Sequence, residues 1–208
     1  MKTHRHLVIF TRYPQLGTGK RRLAAQTGAV EALRFQRVNL EHTLLRLGRD
    51  ARWTTWLAIT PDRSAPWPQC VNLIPQGKGD LGVRLLHVAK TLPRGPVLVI
   101  GSDVPGIPPQ LIARGFQLLD GHDAVLGPSS DGGYWAVGLR RRPTIIDPFK
   151  SVRWSTSYAL ADTLRNLGEK SVALLDELDD VDDANALRRK EGWNLLNKRS
   201  LGGKNIVT

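Results

Sequence analysis

Apolar residues along this chain fall into two patterns: short continuous runs, and longer segments with helical spacing. The runs Leu7–Phe10, Trp53–Ile59, Val71–Ile74, Val97–Ile100, Asp123–Leu126, Tyr134–Leu139 and Val172–Leu175 are too short for helices and predict strands. Between about Lys20 and Leu47, Leu23, Ala24, Ala29, Ala32, Leu33, Leu40, Leu44 and Leu47 recur at helical spacing. Gly28 is placed to break that segment in two, and Gly48 to end it as a C′ residue. Further helices are expected over Asp80–Leu92, Pro108–Leu119, Ser155–Leu167 with Ser155 or Thr156 as N-cap, and Asp182–Lys190. Alternating strands and helices predict an α/β fold, a doubly wound three-layer α/β/α sandwich with strands buried on both faces. One domain is expected over 1–196, followed by a loose polar tail at 197–208.

Composition adds mostly exclusions. The chain of 208 residues is 41% hydrophobic and 24% charged, as globular proteins are. No apolar run approaches the roughly 18 residues of a membrane span, and Leu7–Phe10 is too short for the core of a signal peptide. Cys70 is the only cysteine, so no intrachain disulfide forms and a Cys-based metal site is not expected. A cytoplasmic address follows. The net charge is +11, and residues 1–50 hold ten Lys/Arg against three Asp/Glu. Those cations are scattered along amphipathic helix without interleaved aromatics, which reads as a solvated basic face or a basic mouth for phosphorylated small molecules, and argues against nucleic acid.

Candidate chemistry clusters where strands end. The loop Pro14-Gln-Leu-Gly17-Thr-Gly-Lys20-Arg-Arg22-Leu23 follows the first strand and runs into a helix, so its amides and the Lys20 and Arg22 charges suit phosphate. It is not a P-loop: the first glycine of that motif falls on Pro14 and its hydroxyl on Arg21. Asp103, in Gly101-Ser-Asp-Val-Pro105, can ligate Mg²⁺ or Mn²⁺, or cap the following turn. In Asp131-Gly132-Gly133-Tyr134, Asp131 can ligate metal, act as a base or hold a hydroxyl, while D-G before a strand equally marks a hairpin. In the acidic run Asp176–Asp183, Asp182 is either a further metal ligand or, like Asp183, the N-cap of the last helix. The five histidines form no H-x-x-x-H or H-E-x-x-H pair, and G-x-S-x-G is absent, which disfavours zinc hydrolase and α/β-hydrolase chemistry. Trp53, Trp56 and Trp67 read as packing residues.

Six motifs in order resemble a known family. They are Pro14…Gly17…Lys20-Arg21-Arg22-Leu23, Gln76…Gly79-Asp80-Leu81-Gly82-Val-Arg84, Gly101–Pro105, Gly127–Tyr134, Trp154-Ser155-Thr156 and Asp180-Val-Asp182. The family is the small bacterial proteins with a glycosyltransferase-A-type (GT-A, nucleotide-diphospho-sugar transferase) fold, including glycosyltransferases linked to arsenosugar biosynthesis. Molybdenum-cofactor and phospholactate guanylyltransferases are similar more distantly. The resemblance implies a mixed, mostly parallel sheet binding a nucleotide over its amino-terminal half. It implies Lys20 and Arg22 on diphosphate, Gly17 in the phosphate loop, and Gln76, Asp80 and Arg84 beside the nucleotide. Asp103 and Asp182 would hold Mg²⁺ or Mn²⁺, and the acceptor would lie over Gly132, Gly133, Tyr134, Trp154, Ser155 and Thr156, with Asp131 serving it. Two departures stand out: Arg21 where the family has Thr, and a single Asp103 where glycosyltransferases of this fold have D-x-D.

The expected activity is therefore metal-dependent glycosyl transfer from a nucleotide-diphospho-sugar. The alternatives are a guanylyl- or cytidylyl-type nucleotidyltransferase that joins NTP to a phosphorylated acceptor, and a non-enzymatic nucleotide- or polyanion-binding protein. Oligomeric state is not encoded in any of these motifs.

Overall fold

The computed structural model describes residues 4–61, 66–67 and 71–189. The tail expected at 197–208, Cys70 and Lys190 lie outside the described residues. Seven strands form one sheet: β1 His6–Arg12, β2 Thr54–Thr60, β3 Asn72–Pro75, β4 Val97–Gly101, β5 Ala124–Pro128, β6 Tyr134–Leu139 and β7 Val172–Leu174. The helices are α1 Arg21–Thr27, α2 Ala29–Leu47, α3 Leu81–Thr91, α4 Pro109–Gly121, α5 Ala159–Leu167 and α6 Ala184–Arg189. None is long and apolar enough to cross a membrane among the described residues.

Strand order is β3-β2-β1-β4-β6-β5-β7. All neighbours pair in parallel except β6, which runs antiparallel between β4 and β5. The sheet is therefore mixed and mostly parallel, as expected. Period-two alternation sends Leu7, Ile9, Leu98 and Ile100 into one core with Leu40, Leu44 and Leu47 of α2 and Ile112 and Phe116 of α4. Val8, Val97 and Val99 face the opposite core, with Leu85 and Val88 of α3 and Leu167 of α5. Helices on both faces explain why these strands read as unbroken apolar runs. A third cluster joins Leu23 of α1, Ala32 and Phe35 of α2, and Val181 and Ala186 at the start of α6.

The chain winds outward from β1 to β3, then returns to place β4 on the other side of β1. The sheet order thus reverses between β1 and β4, and the crevice beyond their carboxyl ends is where such folds bind ligands.

Two helix ends differ from the sequence expectation. Gly28 does separate α1 from α2, but Gly48 sits in right-handed helical conformation (φ −68°), not the left-handed one of a C′ glycine. The helix expected from Ser155 begins only at Ala159, after Tyr158, with no side-chain cap. Thr156 Oγ1 instead donates to Arg153 O and accepts from Tyr158 N, and Ser155 has φ +60°. The W-S-T segment is thus a turn, and it faces the crevice.

Candidate active site

A cleft of about 750 Å³ opens at the carboxyl ends of β1 and β4, within the usual range for small-molecule sites. Arg12, Lys20, Arg22, Gln76 and Arg84 line it on the side of the first three strands. Asp103, Asp180 and Asp182 also line it, and Asp131, Gly133, Tyr134, Trp154, Ser155 and Thr156 line it on the β5–β6 side.

Each acidic residue is placed by its neighbours. Ser102 N donates to Phe10 O, extending the β1–β4 pairing by one step beyond Gly101. The buried Asn39 of α2 holds Ser102 O at 2.6 Å. Asp103 therefore leaves the sheet at a position fixed from two sides. The acidic run before α6 is shared out residue by residue. Asp179 Oδ1 accepts from Ser130 N and ties down the β5–β6 turn. Val181 is fully buried in the third apolar cluster, which leaves Asp180 and Asp182 on the cleft side. Asp183 Oδ1 accepts from Ala186 N at 2.7 Å, so Asp183 rather than Asp182 caps the helix. Val181 N also donates to Asp103 O, joining the two acidic segments through the backbone.

Lys20 occupies the centre of this arrangement. Its Nζ lies 3.0 Å from Asp103 Oδ2, 3.0 Å from Asp180 Oδ2 and 2.6 Å from Asp182 Oδ1. The Lys20 side chain is only 4% exposed, while the three carboxylates keep 42–54% of their surface open. Burial by itself would lower the Lys20 pKa, but the carboxylates outweigh it and hold the ammonium far above its ordinary range. Burial, with Asp182 alongside, raises Asp180; Asp182 is lowered despite burial because Lys20 hydrogen-bonds it. The expectation that Lys20 meets diphosphate is thus not the contact seen. Its charge is engaged by carboxylates more than 80 residues away in sequence.

Other expected residues divide between lining the cleft and shaping it. Gln76 is 1% exposed and reaches the cleft wall. Its Nε2 donates to Thr11 O and Ala58 O, so it clamps the ends of β1 and β2. Arg84 lies at the cleft with its guanidinium 5.9 Å from the centre of the Phe10 ring. Asp80, Gly17 and Gly132 are not part of the cleft wall. Asp80 caps α3 by accepting from Val83 N at 2.9 Å. Gly132 has φ +82°, and a Cβ there would collide with the Ser157 backbone. This close approach, with Leu160 N donating to Gly132 O, docks the β5–β6 turn on the start of α5.

The β5–β6 side combines a hairpin with a functional rim. Asp131 Oδ1 accepts from Gly133 N, which closes the turn while the exposed carboxyl lies at the cleft. Burial pushes the Tyr134 phenol above its usual range, with the hydrogen bond from Thr163 opposing, so it stays a neutral hydroxyl. Trp154 stands edge-on to Tyr134 at 6.2 Å. The three tryptophans read as packing residues are largely buried or engaged: Trp53 donates to Leu47 O, Trp56 to His6 Nδ1, and Trp67 stacks edge-on to Tyr13.

Arg12 and Asp180 were missing from the residues singled out as site candidates. Arg12 ends β1, the same strand-end position that marked Asp103 after β4. Neither Arg12 nor Arg22 has an ion-pair partner among the described residues. Asp180 stood in the D-V-D motif, but only contact with Lys20 distinguishes it from its acidic neighbours.

The cluster has the hard-oxygen chemistry that a divalent cation takes, but not the spacing to hold one. Three carboxylates supply hard oxygen ligands around one cation position, with open faces toward the cleft. As they stand, no three ligating side chains among the described residues are spaced to hold an ion. The position between them is filled by Nζ.

Solved structures share this fold. A protein from Desulfovibrio desulfuricans G20, provisionally described as a nucleotide-diphospho-sugar transferase, aligns with TM-score 0.82 and 24% identity, covering 96% of each chain. The 4-diphosphocytidyl-2C-methyl-D-erythritol synthase from Anaerococcus prevotii aligns with TM-score 0.62 and 10% identity, over 93% of this chain and 96% of that one. The inositol-1-phosphate CTP transferase from T. maritima aligns with TM-score 0.52 and 12% identity, over 98% and 99%. No curated protein matches the sequence significantly. The model of the family described as "Uncharacterized protein conserved in bacteria (DUF2064)" matches residues 43–156, from the last turns of α2 through β6 to the W-S-T turn, and the chain belongs to that family.

Proposed function

We propose that this protein is a transferase acting on a nucleotide-activated substrate, with a nucleotide-diphospho-sugar as donor. The observation that carries the reading is the composition of the cleft at the β1/β4 switch. Arg12 and Arg22, unpaired among the described residues, stand beside a carboxylate cluster and across from a hydroxyl- and carboxyl-bearing rim. Cations at a strand-end crevice suit a diphosphate, whose charge grows as the glycosyl bond breaks.

Each group then has a task. Arg12 and Arg22 bind and orient the diphosphate from the basic side. Asp131 sits on the acceptor side, where its carboxylate accepts the proton of an attacking hydroxyl. Tyr134 keeps its proton and offers a donor and an aromatic edge. Asp103, Asp180 and Asp182 hold the Lys20 ammonium in place at the cleft.

Thermal-shift titration with nucleotides tests this reading. Stabilisation by a nucleotide-diphospho-sugar above that by the matching NTP is the expected outcome. Asp103→Asn should then slow turnover of that donor by about 10²–10³. Full activity in that variant, or no response to any nucleotide, would refute the proposal. A second reading, nucleotidyl transfer, draws support from structural neighbours named as CTP-using enzymes. Its signature is preferential stabilisation by an NTP, with pyrophosphate released when a phosphorylated acceptor is added.

A further inference from the structure

We infer that Asp162, which is not part of the cleft wall, is a positioning residue: through Arg153 it holds the Trp154–Ser157 turn in the shape that orders an acceptor hydroxyl. The inference rests on the proposed transferase reading and adds a residue to its acceptor side.

Asp162 is the only carboxylate buried among the described residues, at 4% exposure. A buried charge is costly unless it is fully met, and Arg153 meets this one with three hydrogen bonds. The Arg153 backbone N–H donates to Oδ2 at 3.1 Å, while Nε donates to Oδ2 and Nη2 to Oδ1, both at 2.8 Å. Arg165 Nη1 donates to Oδ1 as well, at 2.9 Å. The Arg153 guanidinium also stands 3.9 Å from the centre of the Tyr158 ring. A two-pronged contact of this kind fixes direction as well as distance.

What it fixes is the start of the turn. Ser151 and Ser155, on either side of Arg153, both adopt left-handed conformation, at φ +55° and +60°. Outside glycine that state persists only where the surroundings dictate it. Thr156 uses its hydroxyl inside the turn, donating to Arg153 O at 2.7 Å and accepting from Tyr158 N. Trp154 packs against Gly82, where a Cβ would meet its ring. The Ser155 hydroxyl is exposed at the cleft and has no protein partner among the described residues. Asp162, acting through Arg153, sets where that hydroxyl meets an acceptor.

Product partition tests this, because a ratio of products does not depend on how much of a variant is folded. The donors are UDP-, GDP-, ADP-, CDP- and dTDP-glucose in mixtures of water and glycerol. Glycerol or water attacks the anomeric carbon, and the bond to the diphosphate breaks with its electron pair on the nucleoside diphosphate. The proton of the attacking hydroxyl passes to Asp131. The ratio of glucosyl glycerol to free glucose should fall about tenfold in Asp162→Asn and in Ser155→Ala, and no further in the double variant. An unchanged ratio in Asp162→Asn, or additive losses in the double variant, overturns the inference. Should Asp162→Asn fail to fold, Arg153→Lys decides. It keeps the charge but loses the two-pronged contact, and it should lower the ratio in the same direction. A wild-type protein that turns over none of these donors counts against the transferase reading, and hydrogen exchange then decides the inference. Amides of residues 152–158 should exchange about tenfold faster in Arg153→Lys than in the wild type, while those of β4 do not change. Unchanged exchange across 152–158 overturns the inference.

Discussion

The side-chain amide of Asn39, near the middle of α2, donates to the carbonyl of Ser102 across 2.6 Å. Helix and strand end are 63 residues apart in sequence, and this bond sets where the chain turns away from β4 to present Asp103. Asn39 is 2% exposed, so its loss strands a buried carbonyl. Asn39→Leu should lower unfolding free energy by about 1–3 kcal/mol. Urea denaturation measures that loss. Unchanged stability would show that water replaces the amide without cost.

Asp131 should separate binding from chemistry. Its carboxyl stands on the β5–β6 turn, across the cleft from Arg12 and Arg22. Asp131→Asn preserves the acceptor for Gly133 N but cannot take a proton, so kcat should fall by about 10²–10⁴. The donor dissociation constant, read by calorimetry, should not change. A weaker donor constant with unchanged kcat would place Asp131 on the donor instead.

Gly132 is a position for glycine alone. With φ +82° and the Ser157 backbone where a Cβ would stand, Gly132→Ala should cost roughly 1–3 kcal/mol of stability. The same change moves the acceptor wall, because Leu160 N bonds to Gly132 O. Thermal denaturation and the acceptor KM together check it. A native Tm would mean the turn and the start of α5 can separate freely.

His6 gives the fold a pH dependence of known sign. Burial lowers its pKa, Arg141 and His4 lower it further, and the Arg94 carbonyl opposes them. The neutral ring accepts from Trp56 Nε1 at Nδ1, 3.2 Å away, and faces Arg94 O with Nε2. A base whose folded pKa lies below its unfolded one contributes fully above about pH 6.5, and that contribution is lost as pH falls through the folded value. The urea midpoint should therefore fall more between pH 7.5 and pH 5 for the wild type than for His6→Gln. Parallel losses in the two proteins would exclude His6 as the titrating group.

Much of the fold was legible because its strands are covered on both sides. Val97–Ile100 and Leu7–Phe10 had to be apolar at every position, which no amphipathic helix requires. The β5–β6 hairpin was equally plain from Asp131-Gly132-Gly133. The start of α5 was not. Ser155 and Thr156 have the composition of a cap, but Thr156 stabilises a turn three residues earlier than the helix. The site was legible as a set of strand-end motifs and illegible as a set of contacts. Whether Asp180, Asp182 or Asp183 faces the cleft depends on which way Val181 turns, and that is decided by Leu23 and Phe35 far away in sequence. Lys20 looked like a phosphate ligand for the same reason. Its local neighbours are basic, and its actual partners lie 83 to 162 residues on.

That separation has a consequence for the life of the chain. Lys20 leaves the ribosome 160 residues ahead of Asp180 and 162 ahead of Asp182, which precede the last helical segment described. Synthesis runs from the amino terminus, so β1 to β6 are outside the exit tunnel before the acidic run. The cluster closes only when Val181 docks against α1 and α2. A nascent chain thus carries Lys20 and Asp103 long before their shared partners, and the arrival of the acidic run is the step that assembles the cluster.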